Sequence, residues 1–249
     1  MSPKDVIRSL FLGMPVDLNH FKKLIDKTSL LDEAIKLGDG DVVVAVLLYL
    51  QKTLHQSVLF SVLESRQVAA DQYIDMLEKQ NCYKEAATLC SQMKRNREAA
   101  VHLYNKVLRE KKKDLLPSLQ HLCKYEFQIL SGVETETEIL KEHIQLLERQ
   151  APIASHQVPA KELVSDKTSP LIGPPIRQDS LLGSSLLATL QYCCRYHLKS
   201  PENLLVSPVG LKSTFPITDR QFAWNACVGQ LLSGKDPSPS LLAKVSRNE

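Results

Sequence analysis

Cys193 and His197 lie four positions apart, so a helix would place a thiolate and an imidazole on one face, where they could bind a metal ion. A structural zinc ion needs four such ligands, and the further candidates, His121 and Cys123, would have to come from a distant part of the chain. We therefore interpret Cys193 as a core cysteine and His197 as a surface residue. The sequence predicts no metal site and no cofactor.

No other motif of catalysis or ion binding is complete. Asp39-Gly40-Asp41 is similar to the start of a calcium loop, but the glutamate that such a loop carries at its last position is missing. We interpret it as a turn between helices. Phosphate-binding glycine loops, H-E-x-x-H and G-x-S-x-G do not occur, and no spacing of serine, histidine and acid indicates a triad. The sequence favours a protein that is not an enzyme.

Charge and composition exclude further classes. The net charge is +3, with 31 basic and 28 acidic residues interleaved, which is too weak for nucleic-acid binding. Lys111–Lys113 could contact phosphate, but the dipole of a helix favours lysines at its carboxyl end without any ligand. The longest apolar run, Val42–Leu50, has nine residues, whereas a membrane span needs about 20. Six cysteines without a C-x-x-C motif predict reduced thiols in a cytoplasmic protein.

The elements that would carry any function are helices. Lys84–Ala87 and Arg97–Ala100 both read basic-Glu-Ala-Ala, and each opens an amphipathic run. Their apolar residues recur at helical spacing: Ala86, Leu89, Cys90 and Met93, then Ala100, Leu103, Tyr104, Val107 and Leu108. Alanines let neighbouring helices approach closely. The pattern predicts an all-α fold, a right-handed α-solenoid of short antiparallel helix pairs, with an extended surface for binding another protein.

Proline divides this chain into segments. Only Pro117 occurs between residues 16 and 150, whereas ten prolines follow residue 150. We predict a helical solenoid over residues 4–150, a linker or long loop rich in proline and serine over 151–180, a continuation of the solenoid over 181–232, and a frayed polar tail over 233–249.

The apolar run Val42–Leu50 is the ambiguous element, because β-branched residues favour strands. It has no strand partner, and Asp39 or Asp41 could cap a helix, so we predict a helix buried on most sides. Further helix starts are predicted at four places: an N-cap at Asp17, capping boxes at Thr135-x-x-Glu138 and Thr218-x-x-Gln221, and Ser200 followed by proline.

The segment Gly38–Leu54 is similar to the aspartate-rich turn and long apolar helix of the C-terminal domain of vacuolar protein sorting-associated protein 16. Short motifs support a closer resemblance to one branch of that family, in the family's order: Lys4–Arg8, Leu30–Ala34, Glu64–Ala69, Leu146–Gln150 and Ser207–Phe222. They cover most of residues 4–225. Family members are longer at both ends, so the resemblance implies a truncated or alternatively spliced member.

The resemblance implies a function as well as a fold. It implies a non-catalytic adaptor subunit that binds a Sec1/Munc18-type protein, similar to vacuolar protein sorting-associated protein 33B, and acts in endosomal and lysosomal vesicle trafficking and membrane tethering. The partner is implied to contact the middle helices, roughly residues 80–180. The implied location is cytoplasmic and peripheral on early, late and recycling endosomes, with membranes reached through partners.

No motif marks the interface, so its residues are chosen by type, since Tyr, Trp and Arg supply much of the energy of protein interfaces. The predicted binding edge consists of Tyr83, Lys84, Arg95, Arg97, His102, Tyr104 and Arg109. Tyr104 also lies on the apolar stripe, which favours a core position, and the basic residues could simply be solvated.

Two other classes remain open from the residues. A general helical-repeat scaffold, such as a chaperone or ubiquitin-pathway cofactor, would carry a strict repeat of fixed length, and none is visible. An all-α enzyme would bring acids or metal ligands together in a cleft.

Overall fold

The computed structural model describes residues 2–109, 115–155, 180–232, 234 and 236–246, and these residues contain no strand. Seven helices come first: α1 (Pro3–Phe11), α2 (Leu24–Leu37), α3 (Gly40–Thr53), α4 (Gln56–Glu64), α5 (Gln67–Lys79), α6 (Tyr83–Gln92) and α7 (Asn96–Leu108). Six follow: α8 (Leu115–His121), α9 (Glu134–Ser155), α10 (Leu186–Tyr196), α11 (Pro208–Thr214), α12 (Asp219–Leu232) and α13 (Pro239–Ser246). The predicted all-α class is confirmed.

The chain forms two compact units, residues 1–111 with 118–138 and residues 112–117 with 139–249. In the first unit α1 packs on α2, α2 on α3, α5 on α6 and α6 on α7. In the second unit α12 packs between α10 and α13. Contacts between helices that follow one another along the chain are consistent with the predicted solenoid-like arrangement.

Helix α3 resolves the ambiguity of the run Val42–Leu50, and the predicted helix is confirmed. The Asp39 carboxylate accepts a hydrogen bond from the Val42 amide at 2.9 Å, which caps the first turn. Gly38 ends α2 in the left-handed conformation at φ 76°, so the β-branched run begins at a fixed helix start. Most of its side chains are buried, and this burial outweighs the strand preference of valine.

Helices α5, α6 and α7 follow one another through two identical turns. Asn81 and Lys94 each take a left-handed conformation, at φ 59° and 61°. The next amide in each turn donates to the carbonyl five residues earlier, Cys82 to Leu77 and Arg95 to Cys90, both at 2.8 Å. Such turns satisfy the last carbonyls of one helix while the next helix begins at once. This is the local cause of the tandem helices.

The alanine pairs of α6 and α7 are buried, as their spacing predicts. Ala86, Ala87, Ala99 and Ala100 are at most 3% exposed. Leu108, which the pattern placed on the apolar stripe, is 43% exposed because α7 ends there. The alanines are therefore interior positions of α6 and α7.

Several predicted helix starts are wrong. Asp17 caps a 3₁₀ turn at Leu18–His20, and the following α-helix begins at Leu24. Thr135 lies inside α9, which begins at Glu134, so it is not an N-cap.

The two starts predicted beyond residue 180 have different outcomes. No helix starts after Ser200; Ser207 caps α11 instead, with a proline at its first position. The box at Thr218 and Gln221 is confirmed, since each residue's amide donates to the other's side chain, at 3.0 and 3.2 Å.

The segment boundaries also differ from the sequence expectation. Helix α9 continues through Pro152 to Ser155, although the sequence predicts a linker from residue 151. The rest of that linker, residues 156–179, and Lys111–Lys113 lie outside the described residues. Within the predicted polar tail, Pro239–Ser246 forms α13, and α13 packs on α12.

Cysteine reactivity offers a direct test of the packing. Burial raises the pKa of Cys90 to about 11 and of Cys193 to about 12, so few of these thiols ionise at neutral pH. Only Cys82 and Cys123 are partly exposed. We expect these two to react with a thiol reagent in the native protein, and the other four only in denaturant. Rapid labelling of Cys193 in native protein, detected by mass spectrometry, would contradict the burial of α10.

Candidate functional site

A cleft of about 430 Å³ opens in the first unit beside α5, α7 and the start of α9. It is lined by Asp71, Ile74, Asp75, Glu78, Arg95, Arg97, Glu98, Val101, His102 and Glu136. Three residues of the predicted binding edge, Arg95, Arg97 and His102, are among them. We call this feature the α5–α7 cleft.

Helix α5 supplies an acidic wall to the α5–α7 cleft. Asp71, Asp75 and Glu78 recur at i, i+4 and i+7, which places them on one face of the helix. Ile74 lies between them and, with Val101 of α7, provides the apolar part of the lining. The cleft is therefore amphipathic, with both carboxylate and apolar side chains in its lining.

Arg95 joins α5 to α7. Its guanidinium pairs with the Asp71 carboxylate of α5, and its Nε donates to Glu98 Oε1 of α7 at 2.9 Å. These hydrogen bonds, chiefly the one to Glu98, raise the pKa of Arg95 above its ordinary value. The guanidinium is thus positioned by two carboxylates and leaves little positive charge free at the surface.

Arg97 joins α7 to the first turn of α9. Its Nε lies 3.1 Å from Glu136 Oε1, and one of its terminal nitrogens donates to the Thr135 hydroxyl at 3.3 Å. The Asn96 side chain donates to the Ser131 carbonyl at 3.0 Å just before that helix. All of these residues belong to the first unit, so this wall is held by several independent contacts.

His102 lies on the buried side of the cleft, with 4% of the residue exposed. Its Nδ1 is 3.2 Å from Glu78 Oε1, and Nδ1 has no hydrogen-bond partner among the described residues. Burial lowers the pKa of His102 below its ordinary value, against the opposing effect of Glu78. The imidazole is therefore neutral at physiological pH.

The net charge of the cleft is negative, whereas the sequence predicted a basic binding edge. Five carboxylates face two guanidinium groups and one neutral imidazole, so the cleft is acidic. Sequence reasoning missed the acidic residues of α5 and α9 because it chose the binding edge from the region of α6 and α7, and it selected basic and aromatic residues there in preference to Glu98. The spacing of Asp71, Asp75 and Glu78 is the signal that would have found the acidic face of α5.

The other four residues of the predicted edge lie outside the α5–α7 cleft. Tyr83 is 8% exposed, and its ring meets the Arg109 guanidinium at 5.7 Å from the ring centre. Lys84 is exposed on α6. Tyr104 is half-buried, and burial raises its pKa. The tyrosines thus contribute to packing, and Lys84 and Arg109 are the exposed residues of this group.

Of the pair considered as metal ligands from sequence, Cys193 is buried, and its predicted core position is confirmed. The surface position predicted for His197 is wrong, since that residue is only 6% exposed. Across the described ranges, no group of three or more histidine, cysteine and acidic side chains is placed to hold a metal ion. No helix in the part of the chain that the structure describes is long and apolar enough to cross a bilayer.

The neutral state of His102 predicts a pH dependence of stability. The pKa of His102 in the folded protein lies below 6.5, its ordinary value in the unfolded chain. The contribution of the neutral imidazole to the free energy of unfolding is therefore complete above pH 6.5 and is lost as the pH falls through the lowered pKa of the folded state. We expect His102→Gln to reduce the loss of stability between about pH 8 and about pH 5, measured as urea midpoints. Burial also lowers the pKa of His143. Part of the pH dependence of stability should therefore remain in the variant as well as in the wild type. An unchanged pH slope would contradict the buried neutral imidazole.

Comparison with known proteins places the α5–α7 cleft inside a family domain. The sequence model of the Vps16 C-terminal region matches residues 17–158, which include every residue that lines the cleft. Curated relatives named spermatogenesis-defective protein 39 homolog are similar to this chain. The protein from Danio rerio is 31% identical over 91% of this chain, and that from Mus musculus is 33% identical over 90%. The chain spans about 44% of the length of these two relatives.

Proposed function

Since this chain belongs to the family of the Vps16 C-terminal region, we propose that it is a non-catalytic helical adaptor in a vesicle-tethering complex. Its proposed partner is a Sec1/Munc18-type protein similar to vacuolar protein sorting-associated protein 33B. Its proposed place of action is the endosomal and lysosomal system, where it reaches membranes through its partners. The match over residues 17–158 is the observation that carries this proposal.

The arrangement of the middle helices supports an adaptor over an enzyme. Helices α5, α6 and α7 are joined by short turns and fixed by buried alanines, so their outer faces form a preorganised surface. The α5–α7 cleft holds paired charges that fix its walls, and its one histidine is neutral and buried. Such a surface favours recognition of another protein. We place the contact within residues 80–180, with Lys84 and Arg109 as exposed basic residues of the edge.

Affinity capture tests the partner. The tagged chain is expressed in cells, recovered, and its bound proteins are identified by mass spectrometry. We expect a Sec1/Munc18-type protein to be recovered, and the purified pair to form a complex in size-exclusion chromatography. Recovery of chaperones or ubiquitin-pathway proteins in its place would favour the general scaffold and overturn the proposal.

Charge reversal tests the location of the contact. The double variant Lys84→Glu and Arg109→Glu is expected to weaken the complex about ten-fold, since reversed charges at an interface repel as well as lose attraction. Lys22→Glu combined with Lys52→Glu, at exposed positions away from the edge, changes the net charge by the same amount; it is the matched control and should leave the affinity unchanged. Equal affinities of the double variant and the control would exclude these two positions from the interface.

A further inference from the structure

The α5–α7 cleft has two carboxylates that no guanidinium neutralises. Arg95 pairs with Asp71 and Glu98, and Arg97 with Glu136. Asp75 is exposed and makes no ion pair among the described residues, and Glu78 faces only the neutral imidazole of His102. The negative charge that remains is therefore concentrated along α5. A positively charged group of a partner would neutralise it.

His102 supplies an independent indication of a ligand. The residue lines the cleft, and its buried Nδ1 has no hydrogen-bond partner among the described residues. A neutral imidazole with its proton on Nε2 presents Nδ1 as an acceptor, and a buried acceptor without a donor is costly. The neighbouring Glu78 carboxylate is also an acceptor. In that tautomer a group with several N–H donors satisfies Nδ1 and the carboxylate together, and in the tautomer with its proton on Nδ1 the same group satisfies the Glu78 carboxylate.

The shape of the cleft fits a long basic side chain. Ile74 and Val101 give the cleft an apolar lining beside its carboxylates. Lysine and arginine pack their methylene groups on apolar surface while their charged ends remain among polar groups. A volume of about 430 Å³ accommodates such a side chain together with part of the backbone that carries it. A bare metal ion would make no favourable contact with this apolar lining.

We propose that the α5–α7 cleft receives a lysine or arginine side chain from a basic segment of the partner protein. The cationic end donates to the carboxylates of Asp75 and Glu78 and to Nδ1 of His102, while its stem lies on Ile74 and Val101. The identity of the partner rests on the proposed function, whereas the acidic recognition of a basic side chain rests on the cleft alone. Arg95 and Arg97 act as supports that tie the helices of the cleft to one another and fix the positions of its walls.

A peptide probe tests the chemistry without the partner. A fluorescently labelled peptide of alternating lysine and alanine is titrated with the full chain, and binding is followed by anisotropy. The same peptide with every lysine side chain acetylated is the matched ligand control. We expect the unmodified peptide to bind at least about ten-fold more tightly, with an affinity that falls as NaCl is raised. Equal binding of the two peptides would overturn the proposal.

Variants locate the peptide in the cleft. Asp75→Lys is expected to weaken binding at least about five-fold and Asp75→Asn by less, since the first adds repulsion to the lost attraction. Asp75 is exposed, so both variants keep the fold, which far-UV circular dichroism verifies. Glu64→Lys changes the net charge by the same amount on the exposed end of α4 and should leave binding within about two-fold. Equal effects of Asp75→Lys and Glu64→Lys would reduce the result to net charge and overturn the proposal.

A charge exchange with the partner separates the two proposals. If the Sec1/Munc18-type protein binds the wild-type chain, Asp75→Lys should weaken that complex, and replacing the contacting basic residue of the partner with glutamate should restore it. Unimpaired binding by Asp75→Lys would overturn the cleft inference and leave the proposed function intact. Absence of binding by the wild-type chain would overturn the proposed function, and the peptide result would then decide the cleft inference by itself.

Discussion

Ala100→Asp is expected to lower the free energy of unfolding by about 3 kcal/mol or more, because it places an unpaired carboxylate in a buried position. Ala100 is fully buried in α7, and α7 packs on α6. A side chain larger than methyl must also displace the atoms packed around this position. Urea denaturation followed by far-UV circular dichroism measures the change.

The control is the neighbouring position on the same helix. Val101→Asp introduces the same carboxylate one residue later, where the side chain is 48% exposed. Solvation removes the burial penalty there, so the free energy of unfolding should fall by less than about 1 kcal/mol. Similar losses for the two variants would show that the charge itself destabilises α7, and the close approach of α6 and α7 at Ala100 would have to be abandoned.

Helix positions were predicted from sequence wherever a local signal and the burial pattern agreed. The run Val42–Leu50 is an example, because Asp39 fixes the helix start and the residues that follow bury most faces. The alanine pairs are another, since their spacing and small size both favour close helix contact. At such positions tertiary packing and the local sequence signals both stabilise the same helix.

Capping motifs were less reliable because two helix starts can compete within a few residues. At Thr218 the reciprocal bonds with Gln221 form as predicted. At Thr135 the same type of motif is overridden, because the helix starts at Glu134 and the Thr135 hydroxyl accepts a hydrogen bond from Arg97 of α7. A partner distant in sequence decided the second case, and a local pattern carries no information about it.

The α5–α7 cleft could be predicted only in part. Residue type alone selected Arg95, Arg97 and His102, and all three line the cleft. Their electrostatic character was missed, because the partners Asp71 and Glu136 come from helices far along the chain. The sequence alone does not show which acidic residue, if any, will pair with a given basic residue. Whether that residue adds positive charge to a binding surface depends on whether folding brings such a carboxylate next to it.

Trp224 and Leu231 of α12 show that apolar residues, too, can be misread from sequence, because large apolar side chains are not always buried. They lie seven positions apart on one face of α12 and are 58% and 48% exposed. The small residues Ala226 and Gly229 of the same helix are buried instead, and Gly229 lies against the backbone of α10. Hydrophobicity alone therefore does not identify the packed face of this helix, because its close contact is made through a residue without a side chain.

The contact at Gly229 leads to the second large effect. A β-carbon built on Gly229 would lie 2.8 Å from the backbone nitrogen of Arg195 and 2.8 Å from the backbone carbon of Cys194, both in α10. Backbone atoms cannot rotate away as a side chain can, so α10 and α12 must separate. Overpacking of this kind costs up to about 3 kcal/mol, which exceeds the gain of about 1 kcal/mol from replacing glycine with alanine in a helix.

Gly229→Ala is therefore expected to lower the free energy of unfolding by about 2 kcal/mol, the difference between these two effects. Hydrogen exchange followed by mass spectrometry should show faster exchange in α10 and α12 than in α3. Gly40→Ala is the matched control, because its new β-carbon would meet nothing closer than the Gln72 side chain at 3.8 Å. That variant should be as stable as the wild type or more so. A stabilising Gly229→Ala would mean that the two helices are farther apart than the glycine contact requires, and the exposed position of Trp224 would lose its explanation.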